Sequence, residues 1–231
     1  MAPSNSSIRT DYTGTFEAHI TICAESRATL QLFQHICQQL NVKCVLIELP
    51  NGVTRSQPMT ASYHRGTLTQ VWTEVHNLAQ RICLAGFQVT RVKIEAMPYN
   101  QDIPVTDNEV SQHPVTNYFE FHIKALLSQE TDLEGLRQHC AKFGAHLSVN
   151  AFKLNASGQH HRFITLRVYG LGRRSAQARF QALLTSLRAR HILLVQPQQE
   201  YTVYDSNLEL DAGWLIHSPV ETKGGEVNEA F

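Results

Sequence analysis

The sequence predicts an α+β protein built from two tandem copies of one βαββαβ unit, and two observations carry that prediction. Phe16-Glu17-Ala18-His19-Ile20 is matched by Phe119-Glu120-Phe121-His122-Ile123, 103 residues further on. The same offset carries Leu30, Phe33, Cys37 and Leu40 onto Leu133, Leu136, Cys140 and Phe143, with the three-four-three spacing of an amphipathic helix in both. Agreement at one offset, across strand and helix alike, is the mark of an internal duplication.

Each copy opens with a strand of period two, 16–23 and 119–125, that leads into a helix at 27–40 and 132–143. Thr131 and Glu134 have the spacing of a capping box for the second of these helices. Second strands follow at 43–49 and 146–153, then turns marked by Asn51-Gly52 and by Asn155 with Gly158. Third strands are expected at 58–64 and 162–169. The next helix of the first copy carries Val71, Trp72, Val75, Leu78, Ala79, Ile82 and Cys83, with Thr67 and Gln70 as its capping box. Its counterpart uses Phe180, Leu183, Leu184 and Leu187. The fourth strand of the first copy is 90–96; that of the second is either 192–196 or 200–204.

This order is the ferredoxin-like split βαβ, with helices on one sheet face and the other face left for solvent, a ligand or another sheet. The expected organisation is a disordered tail at 1–14, a first unit at 15–97 and a linker at 98–117. A second unit follows at 118–205, then an extension and tail at 206–231, disordered from about 222.

Composition narrows the function. Lys+Arg and Asp+Glu both number 20, so no global field recruits nucleic acid or an anionic membrane. Apolar runs such as 44–47 are too short to span a bilayer, and the polar N-terminus lacks a signal core, so a cytoplasmic protein is expected. Five cysteines, none in a C-x-x-C, read as buried free thiols.

Strand alternation picks out the helix-free faces. Phe16, Ala18, Ile20 and Ile22 should face the helices, leaving Glu17, His19 and Thr21 on the open side. Met59, Ala61 and Tyr63 are expected inward, with Thr60, Ser62 and His64 open; Arg91, Lys93 and Glu95 are open on the fourth strand. The second copy adds Glu120, His122, Lys124, Ser148, Asn150, Thr165 and Arg167. Histidines beside Lys93, Lys124 or Arg167 suit a small anionic, phosphorylated ligand: the cations bind charge and imidazole shuttles protons. Arg173-Arg174, after Gly170-Leu171-Gly172, could also hold a phosphate at a helix start.

His19-Ile20-Thr21 resembles the H-x-T motif of the 2H phosphoesterases, which carry one such motif in each of two related lobes. The resemblance implies metal-independent cleavage of a phosphodiester, with His19 as general base or acid and Thr21 holding a phosphoryl oxygen. His122-Ile123-Lys124 departs from the motif, with lysine where threonine or serine is required. His19, Thr21 and His64 are therefore the catalytic candidates. Glu17, Thr60, Ser62, Arg91, Lys93, His122, Lys124 and Arg167 are the ligand-binding ones. A metal held by Glu17, His19 and His64 is an alternative, and a non-enzymatic module whose open faces bind a regulator or form a homodimer is another. No cofactor is indicated by a motif. Asp205, Asn207 and Asp211 could ligate a group, but packing of Trp214 and Leu215 onto the body is the favoured role for that segment.

Overall fold

A computed structural model of the chain describes residues 11–128, 130–154 and 160–214. Its first half runs β1 (Thr13–Ile22), α1 (Arg27–Gln39), β2 (Lys43–Glu48), β3 (Ser56–Thr67), α2 (Leu68–Leu84) and β4 (Val89–Ala96). Its second half repeats the order as β5 (Tyr118–Leu126), α3 (Leu133–Ala141), β6 (Ala145–Leu154), β7 (His160–Tyr169), α4 (Arg173–Ala189) and β8 (Leu193–Asp205). The strands lie side by side as β4-β1-β3-β2 and β8-β5-β7-β6, which is the split βαβ arrangement. Antiparallel pairing of β2 with β6 and of β4 with β8 joins the halves, so the eight strands close into one barrel.

Closure settles where the two faces of each strand go. On β1, Phe16, Ala18, Ile20 and Ile22 are at most 2% exposed and pack outward with Phe33 and Cys37 of α1 and Val71, Val75 and Ile82 of α2. On β5, Phe119, Phe121, Ile123 and Ala125 pack with Leu136 and Cys140 of α3 and Phe180, Leu183 and Leu187 of α4. Burying each large apolar side chain contributes about 1.5–3 kcal/mol, so these two layers hold the helices on the barrel's outside. The helix-free faces meet each other across a lumen instead of facing solvent or a second chain.

The caps follow local chemistry. Thr67 and Gln70 form the expected capping box of α2. At α3 the cap is Asp132, whose carboxylate accepts the Gly135 N–H; Thr131 instead bonds the Ser128 hydroxyl. A carboxylate one residue nearer the helix is the stronger acceptor there. The last strand is continuous, so both candidate segments at 192–196 and 200–204 fall on or against β8.

Residues 98–117 form an ordered strap with a 3-10 turn at Asp107–Gln112. Asp107 accepts the Gly172 N–H at the start of α4, while Arg173 N and Arg174 N donate to Pro104 O and Val105 O. The chain's own acceptors thus take the amides that an anion would need there. Tyr12, expected in a disordered tail, is 1% exposed, and its hydroxyl lies 2.6 Å from His113 Nδ1. Residues 1–10 and 215–231, with most of both expected tails, lie outside the described residues, as does the Asn155 to Gly158 turn. Cys37 and Cys140 are buried free thiols, whereas Cys23 and Cys83 are exposed. Among the described residues, no helix is long and apolar enough to cross a membrane.

Candidate ligand chamber in the barrel lumen

An eight-stranded barrel has an interior wide enough to be filled by side chains or to hold one small ligand. Here it encloses a cavity of about 200 Å³. Register explains the lining: Glu17 opposes Glu95, His19 opposes Lys93 and Thr21 opposes Arg91, and paired residues point to the same side of a sheet. Glu120 likewise opposes Glu200 on one side and Arg167 on the other.

Two histidines sit in matched surroundings. His19 Nδ1 is 3.1 Å from the Thr60 carbonyl, which only accepts, so Nδ1 carries hydrogen and Nε2 faces the lumen. Nε2 lies 3.3 Å from Glu95 Oε2 and 3.8 Å from Glu17 Oε1. His122 Nδ1 is 3.0 Å from Thr165 Oγ1, and its Nε2 lies 3.3 Å from Glu120 and 3.7 Å from Glu200. Lys93 Nζ stands between the halves, 2.8 Å from Glu95 Oε1 and 2.6 Å from Glu120 Oε2.

Charge crowding moves the titrations. Burial pushes the His19 pKa down, but Glu95 and Glu17 outweigh it and leave it above the usual imidazole value. Burial pushes Glu200 well above the carboxylate range, and the charges of Glu95 and Glu17 push it further. Burial opposes ionisation of Glu95 too, yet Lys93 and His19 hold its pKa below the usual range.

At the other end of the lumen the chain closes over itself. After β8 a 3-10 turn, Leu208–Asp211, places Asp211 against the barrel. Asp211 Oδ2 accepts from Arg91 Nη1 at 3.0 Å and Arg167 Nη2 at 2.9 Å, and Oδ1 accepts from Gln57 at 3.0 Å. Arg91 also reaches Asp205 at 2.5 Å, and Arg167 reaches Glu120. Trp214, 6% exposed, lines the cavity and donates its indole N–H to Leu147 O. Val45, Ile47, Leu49, Met59, Ala61 and Phe163 make an apolar wall opposite the charged one.

The sequence candidates divide. Glu17, His19, Thr21, Arg91, Lys93, His122 and Arg167 line the cavity together. Lys124 is half-buried and does not line it. Thr60, Ser62 and His64, expected on the open face, do not reach the lumen: the register puts Met59 and Ala61 there. The Thr60 hydroxyl accepts the Ile20 N–H within the sheet, Ser62 opposes Ala18, and His64 opposes Phe16 on the helix side. His64 there bridges Ser62 Oγ at 2.9 Å and Glu74 of α2 at 2.8 Å. A metal site joining Glu17, His19 and His64 is therefore not formed, because the two histidines lie on opposite faces. Glu200 and Glu95 took no part in the expected site. Alternation puts Glu95 on the open face, and Glu200 falls in a strand whose limits the sequence leaves open between 192–196 and 200–204.

No family model matches the chain, and no curated protein does. Among solved structures, a chlorite dismutase-like protein is 11% identical, with a TM-score of 0.25, covering 83% of this chain and 95% of that one. Aspartate kinase from Synechocystis is 10% identical, with a TM-score of 0.27, covering 85% of this chain and 46% of that one.

Proposed function

We propose that the protein binds one small organic molecule inside the barrel, its apolar body against Val45, Ile47, Met59, Ala61 and Phe163 and its polar end among Glu17, His19, His122 and Glu200. The division of the cavity lining into one apolar and one charged wall carries this reading. A cavity of about 150 Å³ accepts a benzene ring, so 200 Å³ suits a ring with small substituents. The matched positions of His19 and His122, and of Glu17 and Glu120, support a duplicated ferredoxin-like unit in which each copy supplies half the chamber.

A second reading keeps an anionic, phosphorylated ligand handled by His19 and Thr21 in the manner of the 2H phosphoesterases. The convergence of Arg91 and Arg167 on one oxygen of Asp211 favours it, since an anion displacing that carboxylate would meet both guanidinium groups. Against it, Arg91, Lys93 and Arg167 are each already bonded to carboxylates.

Trp214 offers the test. In a Trp72→Phe background it is the sole tryptophan, because the chain has two. Small aromatic amines, carboxylic acids and phosphate esters are titrated against chelator-treated protein while its fluorescence is followed. Saturable quenching that Ala61→Phe abolishes is expected. Quenching that survives Ala61→Phe, or no quenching across the panel, overturns the chamber reading; response to phosphate esters alone selects the second reading.

A further inference from the structure

We propose that the lumen holds one divalent first-row transition-metal ion on Glu95, His122 and Glu200. The proposal rests on the chamber reading for access but not on the identity of the organic ligand.

One ligating atom from each of the three residues lies within 4.8 Å of the other two. Tetrahedral donors about 2.1 Å from an ion stand about 3.4 Å apart, so the widest pair must draw together by up to about 1.4 Å, within reach of side-chain rotation. Glu95 is fully buried; its Oε1 is occupied by Lys93 and Thr202, while its Oε2 has only the His19 imidazole beside it, Nε2 at 3.3 Å. Glu200 is 4% exposed, and among the described residues its carboxylate makes no hydrogen bond; its nearest cationic contact is His122 at 3.7 Å. A buried carboxylate with too few donors is costly, and an ion would engage Glu95 Oε2 and the Glu200 carboxylate together.

His122 is held as a ligand would be. Its Nδ1 is engaged by Thr165, which fixes the ring and aims Nε2 at the carboxylates. His19 stands beside Glu95, its own orientation fixed by the Thr60 carbonyl, and is placed to support that carboxylate.

Charge counting points the same way. Glu17, Glu95, Glu120, Glu200, Asp205 and Asp211 face only three permanent cations, Arg91, Lys93 and Arg167. Carboxyl groups thus outnumber permanent cations six to three, and a divalent ion held by Glu200 and His122 Nε2 would take the place of protons that otherwise balance the excess. One imidazole with two carboxylates suits Mn²⁺, Fe²⁺ or Zn²⁺. Three protein ligands leave coordination positions open for an oxygen of the chamber's ligand.

The experiment strips the full chain with chelator and titrates it with Mn²⁺, read by electron paramagnetic resonance of free ion, and with Zn²⁺ by calorimetry. One equivalent per chain is expected. Glu200→Gln and His122→Ala should weaken it by more than about a hundredfold, beyond the loss seen for outer-shell changes. His64→Ala, an imidazole outside the barrel, should not change it. Metal-free Glu200→Gln should melt no lower than wild type, because it removes a crowded carboxylate, so lost binding cannot be blamed on misfolding. Ala61→Phe, which fills the apolar side, should retain the metal; failure of the chamber reading is thereby separated from failure of this one. No bound ion, or full binding in Glu200→Gln and His122→Ala, overturns the proposal.

Discussion

Lys93 on β4 donates to Glu120 on β5 at 2.6 Å, reaching past β8 to tie the two halves of the barrel together inside the lumen. Burial alone would lower the lysine's pKa, but Glu120 and Glu95 hold it well above the ordinary value. Removing the ammonium takes a shared counter-charge from two carboxylates that are 2% exposed or less, leaving Glu120 with Arg167 and Glu95 with His19 and Thr202. Lys93→Met should therefore destabilise the chain by about 2–4 kcal/mol, toward the lower part of the cost of breaking a buried ion pair from one side, because Arg167 and His19 remain. Urea denaturation should show a lower midpoint at an unchanged slope.

Asp211 is the single carboxylate that both arginines share, and it anchors the segment closing one end of the lumen. Asp211→Asn should cost about 3 kcal/mol at neutral pH, since two buried guanidinium groups lose one counter-charge. Burial raises the Asp211 pKa, but Arg91 and Arg167 lower it further, and the net value falls below the usual range. A depressed carboxylate contributes its full stabilisation above the unfolded-state pKa, about 4, and loses it as pH falls through the folded value. The stability gap between wild type and Asp211→Asn should narrow as pH drops below about 4, in urea titrations at stepped pH.

How much of this was readable from the chain depends on what each strand face touches. On β1 and β4 the lumen side is charged and the helix side apolar, so alternation alone placed Glu17, His19, Arg91 and Lys93 correctly. On β3 the rule failed because the lumen wall itself is apolar: Met59 and Ala61 look like core, while Ser62 and His64 look like a wet face. The β1–β3 register, with Phe16 opposite His64, settles the parity, and register is a long-range property that a single strand does not display. Barrel closure was equally hidden. Its β2–β6 seam holds two residue pairs, Ile47 with Asn150 and Glu48 with Val149, joined by main-chain bonds that carry no residue signature.

His64 makes a sharper test of that parity than any lumenal residue. It bonds Ser62 and Glu74 on the helix side, and the Glu74 side chain is 56% exposed. Solvent-screened pairs of this kind contribute less than about 1 kcal/mol. His64→Ala should shift the melting temperature only slightly and leave Trp214 quenching by chamber ligands unchanged. A lost or much weakened ligand response would place His64 in the lumen and contradict the register.

The strap between the halves rests on a glycine for steric reasons alone. Gly172 has φ −72, an ordinary value for any residue, yet a Cβ there would collide with the carbonyl carbon and oxygen of Thr106. The obstacle is backbone, which cannot rotate away, so Gly172→Ala must push the strap off the start of α4. That displacement strains the contact of Asp107 with Gly172 N, and the bonds of Pro104 O and Val105 O to the next two amides. The expected cost is about 1–3 kcal/mol, the usual range for overpacking a tight site. Hydrogen exchange should quicken at the Gly172, Arg173 and Arg174 amides while those of β1 and β5 stay protected. Unchanged exchange at these three amides would mean that α4 is held without the strap.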